Sequence, residues 1–119
     1  MKVYKTQQQV EKDIKDGVLN CKGEDVKFEC SISIKASIIY AMNINAGDIN
    51  AWDIDARDIN AGDIYAMNIN AGDINARNIN YFASCLSYNS IKCKSIEGRR
   101  NPHQKPVCLD GELTIREDF

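Results

Sequence analysis

The chain has 119 residues, enough for one domain with a modest core. Its 15 basic and 17 acidic residues leave a net charge of −2, which by itself selects neither nucleic acid nor a membrane surface. No apolar run is long enough to span a membrane, residues 1–17 carry no apolar signal-type core, and the five cysteines include no Cys-x-x-Cys pair. A cytoplasmic protein with reduced thiols and no membrane contact is expected.

Charge is unevenly distributed. Residues 1–35 sum to +1, residues 36–81 to −4, residues 82–105 to +4 and residues 106–119 to −3. An acidic body is therefore followed by a basic segment and an acidic tail.

In chain order, residues 6–16 (TQQQVEKDIKD) read as a short helix. Thr6 can cap it, Val10 and Ile14 are one turn apart, and Gly17 suits its end. From Val26 the pattern changes to alternation through Phe28, Cys30, Ile32 and Ile34, a strand leading into a long repetitive segment. Residues 1–33 are expected to cap the first coil of that segment, whose end would otherwise be open.

From Ile34 to Tyr81 the sequence repeats every five residues. Isoleucine returns at 34, 39, 44, 49, 54, 59, 64, 69, 74 and 79, and alanine follows two later from Ala36 to Ala76. A period of five fits neither an α-helix nor a flat strand. Within Ile-x-Ala the outer two side chains share a face, so a large and a small apolar residue point inward. The remaining two positions, ending in Asp or Asn, turn the chain, because these side chains bond nearby backbone groups. Short inward faces joined by corners make a coil, and stacked coils make a parallel β-solenoid.

The units INAGD, INAWD and INARN resemble the pentapeptide-repeat family over roughly residues 34–81. In that family a small residue and Asp/Asn precede the large one; here the isoleucine comes first and Asp/Asn falls at the corner. The resemblance implies a square solenoid. It also implies a setting, since some members bind DNA-handling enzymes as mimics of duplex DNA. A bacterial or phage-encoded counter-defence protein, of anti-nuclease or anti-CRISPR type, or a topoisomerase-binding protein, is the expectation it carries.

Coils of four repeat units, one to a side, place large corner residues against glycine in three of four columns and alternate Asp with Asn along the corners, leaving only Asp53 on Asp73 alike. Coils of three units stack Asp48 on Asp63 and Asp58 on Asp73, like charges at strand spacing. That argument favours four sides.

Beyond Ile79 the period resumes two residues out of phase at Leu86, Ile91 and Ile96, extending the solenoid over 34–98. Residues 99–106 are a loop by composition. Asp110-Gly111 between two short apolar segments signals a C-terminal β-hairpin, with a loose tail after it. The expected fold is thus all-β: a parallel four-sided β-solenoid, a short N-terminal helix/strand cap and a C-terminal hairpin in one domain over 1–119.

Catalysis has little support. There is no nucleophile elbow, P-loop or HExxH, and His103 is the only histidine. Cys93, His103 and Cys108 are irregularly spaced and lack a fourth ligand, so neither metal nor cofactor is expected. Three surface groups are candidates for binding. Asp48, Asp53, Asp55, Asp58, Asp63 and Asp73 would form an acidic face, at about one net charge per 3 Å against about 1.7 Å in a duplex. Tyr40, Trp52 and Tyr65 project outward as aromatic contacts. Lys92, Lys94, Arg99, Arg100 and Lys105 form a basic loop, the one place where direct contact with nucleic acid is expected.

The expected function is that of a non-enzymatic inhibitor whose partner is a basic DNA-binding enzyme. The alternative is an assembly module that uses the solenoid as a scaffold for homotypic or other protein contacts. A homodimer fits either.

Overall fold

Each isoleucine at 44, 49, 54, 59, 64, 69, 74 and 79 of the computed structural model is at most 1 % exposed, so the repeat does bury one face. The structure describes residues 2–99 and 105–116. The chain winds as an all-β parallel solenoid of about five turns. Ala51, Ala56, Ala66, Ala71 and Ala76 line the same interior.

The strands are β1 (Lys2–Tyr4), β2 (Ile14–Lys15), β3 (Val18–Asn20), β4 (Val26–Phe28), β5 (Ile32–Ser33), β6 (Ser37–Asn45), β7 (Ile49–Asn50), β8 (Asp53–Ser87), β9 (Ile91–Cys93), β10 (Ser95–Gly98), β11 (Val107–Cys108) and β12 (Leu113–Ile115). β8 is 35 residues long and carries its ladder around more than two coils. Every strand pair is parallel except the turn-linked β2–β3.

The register corrects the number of sides. Ile44 pairs with Ile59 and Ile49 with Ile64, so three repeat units close a coil and the solenoid is three-sided. Two physical reasons favour the triangle. Three isoleucines and three alanines per coil fill a triangular interior, whereas four equal sides enclose more space than the same side chains occupy. The stacked acids are also not bare charges. Asp48 Oδ1 accepts the Asp63 backbone N–H at 3.1 Å, and Asp73 Oδ1 accepts that of Ser90 at 3.2 Å. Local donors thus offset the like-charge cost that favoured four sides.

Coils lengthen toward both ends. Ile74 pairs with Ile91 where three units would bring it to Asn89, and Val26 pairs with Ile44 rather than with Ala41. The insertion after Ile79 changes which side chain turns inward: Cys85 is 1 % exposed and Ser87 0 %, while Leu86 is only half-buried. Ser87 substitutes for alanine because its hydroxyl donates to Gly72 O at 2.6 Å.

The expected hairpin does not form. β11 pairs with β8 and β12 with β9, both in parallel, so 107–115 is part of a further coil. Asp110-Gly111 is a corner of that coil; a Cβ at Gly111 would collide with the Asn89 carbonyl. The N-terminal segment is likewise wound into the solenoid, with β1 on β4 and β4 on β6. Its excess length makes the β2–β3 turn and the helix α1 (Gln7–Lys12), where the Thr6 hydroxyl accepts from Gln9 N at 3.3 Å. Val10 of this helix is fully buried.

Tyr4 ties helix to coil. Its ring stacks on Phe28 at 5.5 Å, and its hydroxyl donates to Asp13 Oδ2 at 2.7 Å. That bond, helped by Lys2 at 3.3 Å, holds the Asp13 carboxyl below its ordinary value despite partial desolvation. A depressed carboxyl adds stability above its unfolded pKa and loses it as pH falls through the folded one. Tyr4→Phe is therefore expected to shrink the acid-side loss of stability, measured as urea midpoints between neutral pH and about pH 3.

Candidate functional site

Each side of the solenoid follows one local rule. An Asp or Asn corner precedes the inward isoleucine, one residue faces out, alanine turns in, and a variable corner follows. Stacking in register converts these positions into rows along the axis, spaced by about 4.8 Å.

The six acids are divided among those rows. Asp58 and Asp73 lie on one edge, continued by Asn43, which pairs with Asp58 and donates to Asp25 Oδ1 at 2.9 Å. Asp48 and Asp63 lie on the second edge; Asn78 donates to Asp63 at 2.8 Å, and Ser95 to Asn78 at 2.6 Å. Asp53 lies on the third edge, bonded by Asn68 at 3.0 Å, which in turn accepts from Ser84 at 2.8 Å. Asp55 projects from the side that follows Asp53. The single acidic face expected from the sequence is instead a set of rows on all three edges. Asparagine and serine act within them as fixed donors rather than as diluted acids.

The aromatic group also separates. Tyr40 is on another side from the other two, at a register shift in β6, with φ of +61° and its ring against Gly23. Trp52 and Tyr65 share a cleft of about 240 Å³ with Met67, Phe82, Asn80 and Arg99. Phe82 belongs to this group although sequence reasoning passed over it. The signal was present, since Trp52, Met67 and Phe82 occupy the same corner slot in successive sets of three repeat units.

The basic group is no single loop. Lys92 is in β9, paired with Asn75, while Arg99 follows β10, its Nε donating to Asn80 at 2.9 Å and its Nη1 3.5 Å from Glu97. Lys94 is exposed between these strands, and Lys105 is exposed ahead of β11. Arg100 and His103 fall outside the described residues.

No cysteine among the described residues is in a disulfide. Burial pushes the thiols of Cys21 and Cys93 up to about 11 and that of Cys85 up to about 12. Burial raises the Cys108 thiol as well, but Cys30 and Cys108 are only half-buried, so a thiol-specific reagent at neutral pH is expected to label both before those three, with denaturant abolishing the difference; peptide mass mapping reads this directly. Among the described residues no group of His, Cys, Asp and Glu is placed to hold a metal ion, and no helix is long and apolar enough to cross a membrane. Comparisons with protein-family models, curated proteins and solved structures find no match.

Proposed function

We propose that this chain is a non-enzymatic binding protein that inhibits a DNA-handling enzyme, its carboxylate rows occupying the groove that otherwise holds duplex DNA. The observation that carries this reading is the arrangement of Asp48/Asp63, Asp53 and Asp58/Asp73 along three separate edges, with Asp48, Asp53, Asp63 and Asp73 each held by a side-chain or backbone donor. Negative charge then faces outward around the rod, as phosphates do around a duplex. With three-sided coils, the net −4 of residues 36–81 extends over roughly 15 Å, about one charge per 4 Å against about 1.7 Å for DNA. At under half the duplex density, charge speeds the encounter with a basic groove, and binding weakens steeply with salt. An intracellular bacterial or phage setting suits such a partner.

The test is capture of basic enzymes from a bacterial lysate at low salt, followed by elution with competing duplex DNA. Asp58→Asn with Asp73→Asn keeps an oxygen acceptor at each position but removes two charges from one row. Loss of DNA-elutable capture in this variant supports the reading. Capture that resists DNA and survives neutralisation of each row refutes it.

A second reading, assembly of copies end to end, is favoured by the C-terminal coil. Val107, Leu109, Leu113 and Ile115 are exposed there, while the N-terminal helix buries its own Val10. Sedimentation that depends on concentration but not on DNA would support it, and a monomer throughout would oppose it.

A further inference from the structure

On the side carrying Ile49, Ile64 and Ile79, two outward rows run together. Asn50, Tyr65 and Asn80 form the mid-side row, and Trp52, Met67 and Phe82 the corner row beside it. Trp52, Tyr65, Met67 and Phe82 are each between 43 % and 48 % exposed, and all four line one cleft. Isolated exposed apolar residues are ordinary on a soluble protein, but a contiguous strip of this kind marks a contact surface.

We propose that this strip is a docking groove for a basic amphipathic helix of a partner protein. Three observations select that occupant. The first is length: Trp52 to Phe82 is two strand spacings, about 10 Å, and helix positions i and i+7 are also about 10 Å apart. A helix lying along the axis can thus set its i, i+3/i+4 and i+7 side chains on the corner row. The second is preorganisation, because the Trp52 ring leans against Gly17, where an added Cβ would lie 3.3 Å from it. The third is charge. Asp48 and Asp63 border one margin and Asp53 follows Trp52 at the other. The cation of the cleft, Arg99, is already engaged by Asn80 and Glu97. An apolar centre with acidic margins complements lysine or arginine flanking an apolar stripe, and it opposes anionic polymers such as single-stranded nucleic acid. The groove stands on this geometry alone and does not require the three-edge rows to act as a DNA mimic.

Trp52 is the only tryptophan, so its fluorescence reports this surface specifically. The probe is a synthetic helical peptide of about 14 residues, four turns, with leucine at the i, i+4 and i+7 positions and lysine on both flanks. Its control replaces each lysine by glutamate. The lysine peptide is expected to give a saturable blue shift that salt weakens, and the glutamate peptide none. Phe82→Ser, at an exposed position with an unchanged circular dichroism spectrum, should weaken binding about tenfold. Equal response to the two peptides, no response to the lysine peptide, or unchanged binding by Phe82→Ser overturns the proposal. So does a blue shift with a neutral linear oligosaccharide in place of the peptide, or one produced by raising the concentration of the protein alone. DNA-elutable capture is scored separately on the Asp58→Asn/Asp73→Asn variant, so either reading can fail alone.

Discussion

Ile64→Ala is expected to lower the stability of the protein by about 2–5 kcal/mol, and Ile96→Ala at the end of the same row by markedly less. Ile64 is fully buried and pairs with Ile49 in the coil before it. In a solenoid each coil is held mainly by its neighbours, so a cavity in a central coil loosens the contacts on both sides of it. Ile96 pairs with Ile79 but is only half-buried. The expected gradient therefore follows position along the axis rather than residue type. Urea unfolding gives both values from shifts in midpoint at constant slope. Equal losses at the two positions would mean that the end coil is packed as tightly as the middle. Ile64→Asp carries the same argument further. An unpaired carboxylate in that interior has no donor to meet it, and the chain is expected not to fold at neutral pH.

The same isoleucine spacing explains what the sequence disclosed. A period of five with Ile-x-Ala inward permits only a coil, and all eight isoleucines from Ile44 to Ile79 are inside. The number of sides was hidden because it depends on hydrogen bonds that a charge count does not register. Asp48 above Asp63 looks repulsive until the Asp63 backbone N–H is seen to bond Asp48. Asn68 and Asn78 look like weakened acids until their amides are seen to donate to Asp53 and Asp63. The end of the chain departs from its local sequence signal for a related reason. Asp110-Gly111 has the local chemistry of a hairpin, but the open edges of β8 and β9 offered β11 and β12 partners that continue the stack. Of the surface, Trp52 and Tyr65 were legible as outward residues. Their gathering with Met67 and Phe82 required the three-sided register, as did the division of the acids among three edges.

The three INAGD units are identical in sequence, yet substituting their glycines is expected to change stability in opposite directions. Gly47 is open: an added Cβ would meet only Ser31 Oγ, at 3.9 Å. Its backbone is outside the left-handed region, so Gly47→Ala reduces the freedom of the unfolded chain without strain. A gain of about 0.4–1 kcal/mol is expected. At Gly62 the Cβ would lie 3.2 Å from Gly47 O and 3.1 Å from Asp48 Oδ1, a tight fit that consumes that gain. At Gly72 it would lie 2.5 Å from Arg57 O, a backbone atom fixed within the ladder of the preceding coil. The coil must open there, and because Gly72 O also receives the Ser87 hydroxyl and the Asn89 N–H, the shift passes to the next coil. Gly72→Ala is expected to cost about 1–3 kcal/mol, and Gly72→Val more. Thermal or urea midpoints should therefore rank Gly47→Ala above the unmodified protein, with Gly62→Ala near it and Gly72→Ala well below. Four-sided coils would stack Gly72 beside Trp52 instead of Arg57 and give no reason for that order, so the ranking tests the three-sided register as well as the packing.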